Sequence, residues 1–239
     1  VKRIVPVVCE CMRREEEERM QAIKLQERRD RIERLFSMSE LGERYKGVTF
    51  DDWVSRPGTE KWLEKAKDYV ENFKEYKKNG RGLVVMGPVG NGKTFLLAAM
   101  LNALIEKDVV VAYRSVPSLL SKIKSTFDPD SKLTLTEIHS AIRDVDLLML
   151  DDLGAEKTFR VQGEERMSDF AESVLYEIID DRYRWKLPVI VTTNYETTNQ
   201  LRVRVGERIY DRLVETCDFI GVTASSYRRE IAKRNQKEA

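Results

Sequence analysis

The 239-residue chain predicts an α/β fold, with a parallel five-stranded sheet between helices and a helical N-terminal segment ahead of it. Three observations carry this reading. From Gly82 onward, short apolar runs alternate with stretches of helical length, the order that builds a parallel sheet through crossover helices. Two of those runs, "VDLLML" and "PVIVTT", are almost continuously apolar, as strands covered on both faces must be. The first run ends in a turn with three glycines before the next helix opens, "LVVMGPVGNGKTFLLAAM" (83–100).

The elements follow in order. Residues 13–34 carry 15 charges, eight basic and seven acidic, with no Gly or Pro, which favours a helix. Met20, Ile23 and Ile32 give it only a thin apolar stripe. Such a helix is either a solvated linker or a docking element whose stripe is buried only in a complex. "ERYKGVTFDDW" (43–53) reads as a connector clamped by Phe50 and Trp53. "TEKWLEKAKDYVENFKEY" (59–76) sets Trp62, Leu63, Ala66, Tyr69, Val70 and Phe73 at helical spacing, so these face a core. Strands are expected near 82–87, 109–113, 146–151, 188–193 and 219–223. Helices are expected near 92–106, 117–126, 134–143, 164–184 and 206–215.

Composition narrows the function. Lys and Arg (42) almost balance Asp and Glu (41), so the whole surface is not a polyanion binder and any nucleic-acid contact must come from a local patch. No apolar run approaches the ~20 residues needed to cross a bilayer, and no signal-peptide pattern precedes the fold, so no membrane partner is expected. The three cysteines, Cys9, Cys11 and Cys217, do not make a disulfide framework, which points to a reducing cytoplasm.

The glycine turn carries the chemistry. "GPVGNGKT" (87–94) fits G-x-x-x-x-G-K-[ST] between a strand and a helix, the context that defines a phosphate-binding P-loop. Gly87, Gly90 and Gly92 would let the loop, with Pro88, Val89 and Asn91 between them, curl so that its available backbone N–H groups point at phosphate oxygens, at the positive end of the helix opened by Lys93, Thr94 and Phe95. Lys93 is expected at the β- and γ-phosphates and the Thr94 hydroxyl at Mg²⁺, so ATP and Mg²⁺ are the implied cofactors. "LLMLDD" (147–152) delivers Asp151 and Asp152 to the same sheet edge, Asp151 for Mg²⁺ and Asp152 to orient or deprotonate the attacking water. "VIVTTN" (189–194) brings Asn194 there as an uncharged holder of that water or of the γ-phosphate. In "GERIYDRL" (206–213), Arg208 and Arg212 share one helical face. They are either surface partners of Glu207, Asp211 or Glu215, or an arginine finger for a neighbour's site.

Taken with "SYRRE" (226–230), these motifs resemble the DnaC/DnaI family of replicative helicase loaders, AAA+ ATPases without a lid domain. The resemblance covers about residues 46–235. It implies an ATPase that grips a hexameric replicative helicase, self-associates through its AAA+ domains and holds single-stranded DNA. Carried over by position, Lys93 and Thr94 match Walker A, Asp151 and Asp152 Walker B, Asn194 sensor I, Arg212 the arginine finger with Arg208 as companion, and Arg228 a sensor II arginine. Asp152 stands where most AAA+ proteins have glutamate, which implies slow turnover. IstB-like ATPases that assist a transposase share much of the pattern, and a nucleotide-gated adaptor with negligible turnover is a third reading. "VPVVCECMRRE" resembles the end of a zinc-binding module. Tetrahedral zinc needs four ligands, so Cys9 and Cys11 make only a partial site, and zinc is expected only if upstream residues complete it. The implied division is 1–12 for the end of that module, 13–46 for the charged linker or docking segment, 47–235 for the ATPase domain and 236–239 for a tail. Arg114, Lys122, Lys124, Lys157 and Arg160 are the cations near DNA-facing segments, each expected to be solvated.

Overall fold

Five parallel strands form the central sheet in the spatial order β2-β3-β6-β1-β7, comprising β1 (Gly82–Met86), β2 (Val111–Ser115), β3 (Leu147–Leu153), β6 (Val189–Thr193) and β7 (Cys217–Gly221). The structure is a computed structural model that describes residues 10–36, 41–156, 158–161 and 164–238. Alternation along each strand builds two cores. Leu83 and Val85 of β1, with Leu147 and Met149 of β3, face α2 (Glu60–Glu71) and α4 (Lys93–Glu106). Val84 and Met86, with Leu148 and Leu150, face α5 (Val116–Ser125), α6 (Leu135–Asp144), α7 (Asp169–Arg184) and α9 (Glu207–Thr216). This is the predicted five-stranded parallel architecture. Among the described residues only α10 (Tyr227–Glu238) follows β7, and no lid domain is present.

The expected helix over 59–76 breaks at Asn72 into α2 and α3 (Phe73–Lys78), and the Asn72 amide turns back to Asp68 Oδ1 at 2.7 Å. The helix expected from 164 starts instead at Asp169, where the Ser168 hydroxyl accepts from Ala171 N. The preceding residues form an antiparallel pair, β4 (Thr158–Val161) with β5 (Glu164–Met167). A helix not expected from the sequence, α8 (Thr198–Val205), follows β6 behind a capping box made by Thr197 and Gln200.

The charged N-terminal segment is a helix, α1 (Glu10–Leu35), but it is neither wholly solvated nor waiting wholly for a partner. Its C-terminal half packs on the chain's own sheet. Arg28 reaches Asp146 at 2.8 Å, Arg31 reaches Asp144 at 2.7 Å, and Arg29 reaches Asp108 at 2.7 Å. Ile32 and the following Phe36 are buried. Met12, Met20 and Ile23, nearer its start, remain exposed. No helix among the described residues is long and apolar enough to cross a membrane.

Candidate functional site

At the carboxyl ends of β1, β3 and β6 the chain opens a pocket of about 210 Å³. Gly90, Asn91, Gly92, Lys93, Thr94, Phe95, Asp152, Asn194 and Arg228 line it together, so one cavity gathers residues from four separate motifs. Ligand sites in open parallel sheets lie at this edge because the loops after the strands converge there.

The glycine loop is shaped by close approach. Gly92 has φ +106°, and a Cβ on it would stand 2.3 Å from the Trp53 ring; Gly90 has φ +82°, and a Cβ there would meet Ser226 Oγ at 2.4 Å. No side chain fits either position without strain. The Asn91 side chain braces the loop from behind the cavity wall to which the residue contributes. Its amide donates to Val222 O at 3.0 Å, and the residue's backbone carbonyl accepts from Arg56. Val89 is exposed at the rim. Lys93 is folded back on the loop, donating to Gly87 O at 2.7 Å, Pro88 O at 2.9 Å and Asn91 Oδ1 at 3.2 Å. Burial pushes its ammonium down to about 8, against the pull of Asp152 and Asp151.

The two acids occupy different places. Asp151 is buried behind the pocket wall, where Tyr113 Oη donates to Oδ2 at 2.9 Å and the Thr192 hydroxyl donates to Oδ1. Asp152 lines the pocket. Its backbone has φ +58° at a register shift between Leu150 and Leu153, its N–H donates to Thr192 Oγ1 at 3.0 Å, and its Oδ1 accepts from the Asn194 amide at 3.1 Å. Burial, then the charge of Asp151, raises the Asp152 carboxyl above its ordinary value, while the Asn194 hydrogen bond works the other way. The donor set fits a hard cation. The Thr94 hydroxyl and two carboxylates are oxygen ligands of the kind Mg²⁺ takes, and the concentrated negative charge here is opposed chiefly by Lys93 and Arg228.

One wall was not legible as a site. Tyr45 and Trp53 from the connector, Val54 and Arg56 just after it, and Tyr227 from α10 complete the pocket. Trp53 packs on Phe95 with ring centroids 5.6 Å apart, and its buried Nε1 has no partner among the described residues. Arg56 ties this wall together, donating to Ser225 O and Asn91 O, pairing with Glu230 and lying over the Tyr227 ring. The aromatics of "ERYKGVTFDDW" and "SYRRE" were the available signal, but they are far apart in sequence.

Arg208 and Arg212 do not reach this pocket. Arg212 donates to Asp180 Oδ1 at 3.0 Å and stacks over Tyr183, and Arg208 lies over Tyr176, all on α7. The partner of Arg212 is thus Asp180 rather than a neighbour on its own helix. Arg114 is not solvated. It is buried, donates to Leu35 O at 2.9 Å and lies over Phe36, because α1 covers the edge strand that carries it. Lys124 is exposed and Lys122 half-buried; Lys157 and the Arg160 side chain lie outside the described residues. Cys9 lies outside them as well, and Cys11 is in the first turn of α1. Cys217 is buried at the start of β7, its thiol pushed up to about 12 by burial. His139 sits beside Glu177, and among the described residues no group of three or more His, Cys, Asp or Glu gathers to hold a metal ion.

Fold and pocket together define a P-loop nucleotide-binding protein of AAA+ architecture. Residues 17–237 match the family of IstB-like ATP binding proteins, and the chain belongs to that family. It is similar to the replicative helicase loader DnaC of Buchnera aphidicola subsp. Baizongia pistaciae, 28% identical over 203 residues, covering 84% of this chain and 77% of that protein. The crystal structure of the DnaC helicase loader superposes with a TM-score of 0.64 at 26% identity, covering 76% of this chain and 100% of that one. The crystal structure of DnaI gives 0.62 at 28% identity over 76% and 93% of the two chains.

Proposed function

We propose that the protein is an ATPase that binds a replicative DNA helicase and assists its placement on single-stranded DNA in the cytoplasm. The observation that carries this reading is the convergence of Lys93, Thr94, Asp152, Asn194 and Arg228 on one pocket, in a chain whose relatives are named helicase loaders. Lys93 leaves its loop carbonyls for the β- and γ-phosphates. Thr94 and Asp151 would hold Mg²⁺, which would supply charge neutralisation when bound. Asp152 takes the proton of the attacking water, helped by its raised carboxyl value, and Asn194 fixes the geometry of Asp152 and the water. Arg228 meets the phosphates from the same chain. Tyr45, Trp53, Phe95 and Tyr227 offer flat apolar surface to the base. Arg212, with Arg208 beside it, serves the ATP of a neighbouring copy, because neither lines the pocket of its own chain.

Mixing two variants tests the trans arrangement. Lys93→Ala and Arg212→Ala should each be inactive alone, Lys93→Ala through lost ATP binding and Arg212→Ala with binding intact. An arginine supplied in trans accelerates phosphoryl transfer by about 10³–10⁵. Co-assembled, the two variants should recover part of the activity, since some interfaces then pair an intact loop with an intact finger. No recovery despite co-assembly would place Arg212 in a purely structural role. Co-purification with a transposase instead of a replicative helicase would replace the loader reading with that of a transposition ATPase.

A further inference from the structure

Tyr113 lies outside the nucleotide pocket yet touches its chemistry. It sits on β2, an edge strand of the sheet. The register sets Tyr113 opposite Met149 and Ser115 opposite Asp151, so Tyr113 and Asp151 are diagonal neighbours on the face covered by α4. The phenol donates to Asp151 Oδ2 at 2.9 Å, and the carboxylate is 2% exposed. Thr192 occupies the other oxygen. The orientation of this carboxylate is therefore set by two hydroxyls, one from each neighbouring strand.

The two hydroxyls belong to different parts of the molecule. Thr192 also accepts the Asp152 N–H and is part of the active edge itself. Tyr113 instead lines a cavity of about 260 Å³ beneath α1, shared with Ile32, Phe36, Leu101 and Ile105. The next residue, Arg114, donates to the last carbonyl of α1, Leu35 O, and lies over Phe36. The end of α1 is thus fastened to the strand that carries Tyr113.

We propose that Tyr113 is a positioning residue for Asp151, and that through it the seating of α1 on β2 sets the Mg²⁺-dependent part of nucleotide binding. The inference rests on the proposed role of Asp151 as the Mg²⁺ carboxylate. Removing the phenol hydroxyl leaves Asp151 held by the Thr192 hydroxyl alone and leaves one buried oxygen without its donor. Loss of such an outer partner costs about 10–100-fold in metal affinity or activity.

The test uses the full chain and a fluorescent ATP analogue titrated in EDTA and at a series of Mg²⁺ concentrations. Tyr113→Phe should bind the analogue in EDTA as the wild type does, a readout that also reports an intact fold. The Mg²⁺ concentration that half-maximally strengthens binding should rise by about tenfold. Phe36→Ala, which loosens α1 without touching Asp151, should shift the same midpoint in the same direction, and combining it with Tyr113→Phe should add little. An unchanged midpoint in Tyr113→Phe overturns the inference, as does a double variant in which the two effects multiply in full. If the wild type itself shows no Mg²⁺ dependence, the proposed site falls and the inference with it. A wild type that responds to Mg²⁺ beside an unresponsive Tyr113→Phe removes the inference alone.

Discussion

Lys93 makes the nucleotide site answer to pH in a direction the structure sets. The side chain is 5% exposed and spends its protons on loop carbonyls, and burial brings its ammonium from 10.5 down to about 8. Bound phosphate oxygens would hold the same ammonium charged well above that value. Below about 8 both the free and the bound protein carry the proton, and affinity is level. Above about 8 the free protein has lost it, so binding must take one proton up, and ATP affinity falls about tenfold per pH unit. Between about pH 7 and about pH 9.5 the loss is about thirtyfold. Titration calorimetry in two buffers of different ionisation enthalpy reads both quantities, and proton uptake should climb from near none to near one per ATP. Lys93→Arg, charged throughout the range, should lose the break. The free protein carries the mirror effect: its folded value lies below the unfolded one, so the buried charge costs stability at neutral pH, and that cost is relieved as pH rises from about 8 towards 10.5. A wild type with level affinity and no proton uptake up to about pH 9.5 would refute the reasoning, because the ammonium would then be as well solvated in the free loop as in water.

Other perturbations separate shape, chemistry and stability. Gly92→Ala forces a Cβ towards the Trp53 ring in a backbone geometry that costs about 1–3 kcal/mol, so ATP affinity and the melting temperature should both drop; unchanged values for both would deny the close packing of loop and ring. Asp152→Asn keeps a residue type that tolerates φ +58°, so the fold and ATP binding should survive while single-turnover hydrolysis falls by at least about 10²-fold. Hydrolysis at the wild-type rate would remove Asp152 from the chemistry. Arg182→Met should lower stability in urea by about 3 kcal/mol or more, because Ile142 O and Pro188 O lose buried donors at about 1–3 kcal/mol each. A loss below about 1 kcal/mol would mean that water or a backbone shift satisfies them.

What the sequence made legible is what physical chemistry forces into contiguous residues. A phosphate cradle needs bare backbone, a cation and a hydroxyl within one turn, so Gly87–Thr94 reads directly. Strands covered on both faces must be apolar throughout, so β3 and β6 do as well. Where long-range partners decide, local pattern misleads. Arg28, Arg29 and Arg31 look like solvated charges on a polar helix, but Asp146, Asp108 and Asp144 stand within reach only once the sheet is built. Arg114 is buried for the same reason, and the choice of Asp180 by Arg212 depends on how α7 packs against α9. The pair β4–β5 is short and charge-rich, which leaves helix and strand indistinguishable by period. For α8 the signal was present, since Thr197 and Gln200 stand three residues apart as in a capping box.

The adjacent acids show what sequence order alone leaves unresolved. On a regular strand, Asp151 and Asp152 point to opposite faces, so both cannot serve one phosphate site on the α4 side of the sheet. Asp151 follows the rule: it lies on the same face as Met149 and Tyr113 and is held there by two hydroxyls. Asp152 breaks it. The register shift after Leu150 and the left-handed backbone at φ +58° turn its carboxylate back to the pocket, where Asn194 meets it. Bulges of this kind re-aim side chains next to active sites, and the turned residue has to tolerate the left-handed region. Aspartate tolerates it through local hydrogen bonding, whereas the longer arm of a glutamate gains less from that geometry. The shorter acid and the bulged strand are therefore one feature. On the proposed reading, Asp152→Glu at an unaltered bulge should carry the carboxylate past the Asn194 amide and slow hydrolysis rather than speed it, and single-turnover hydrolysis faster than wild type would show that reach, and not the bulge, limits the reaction.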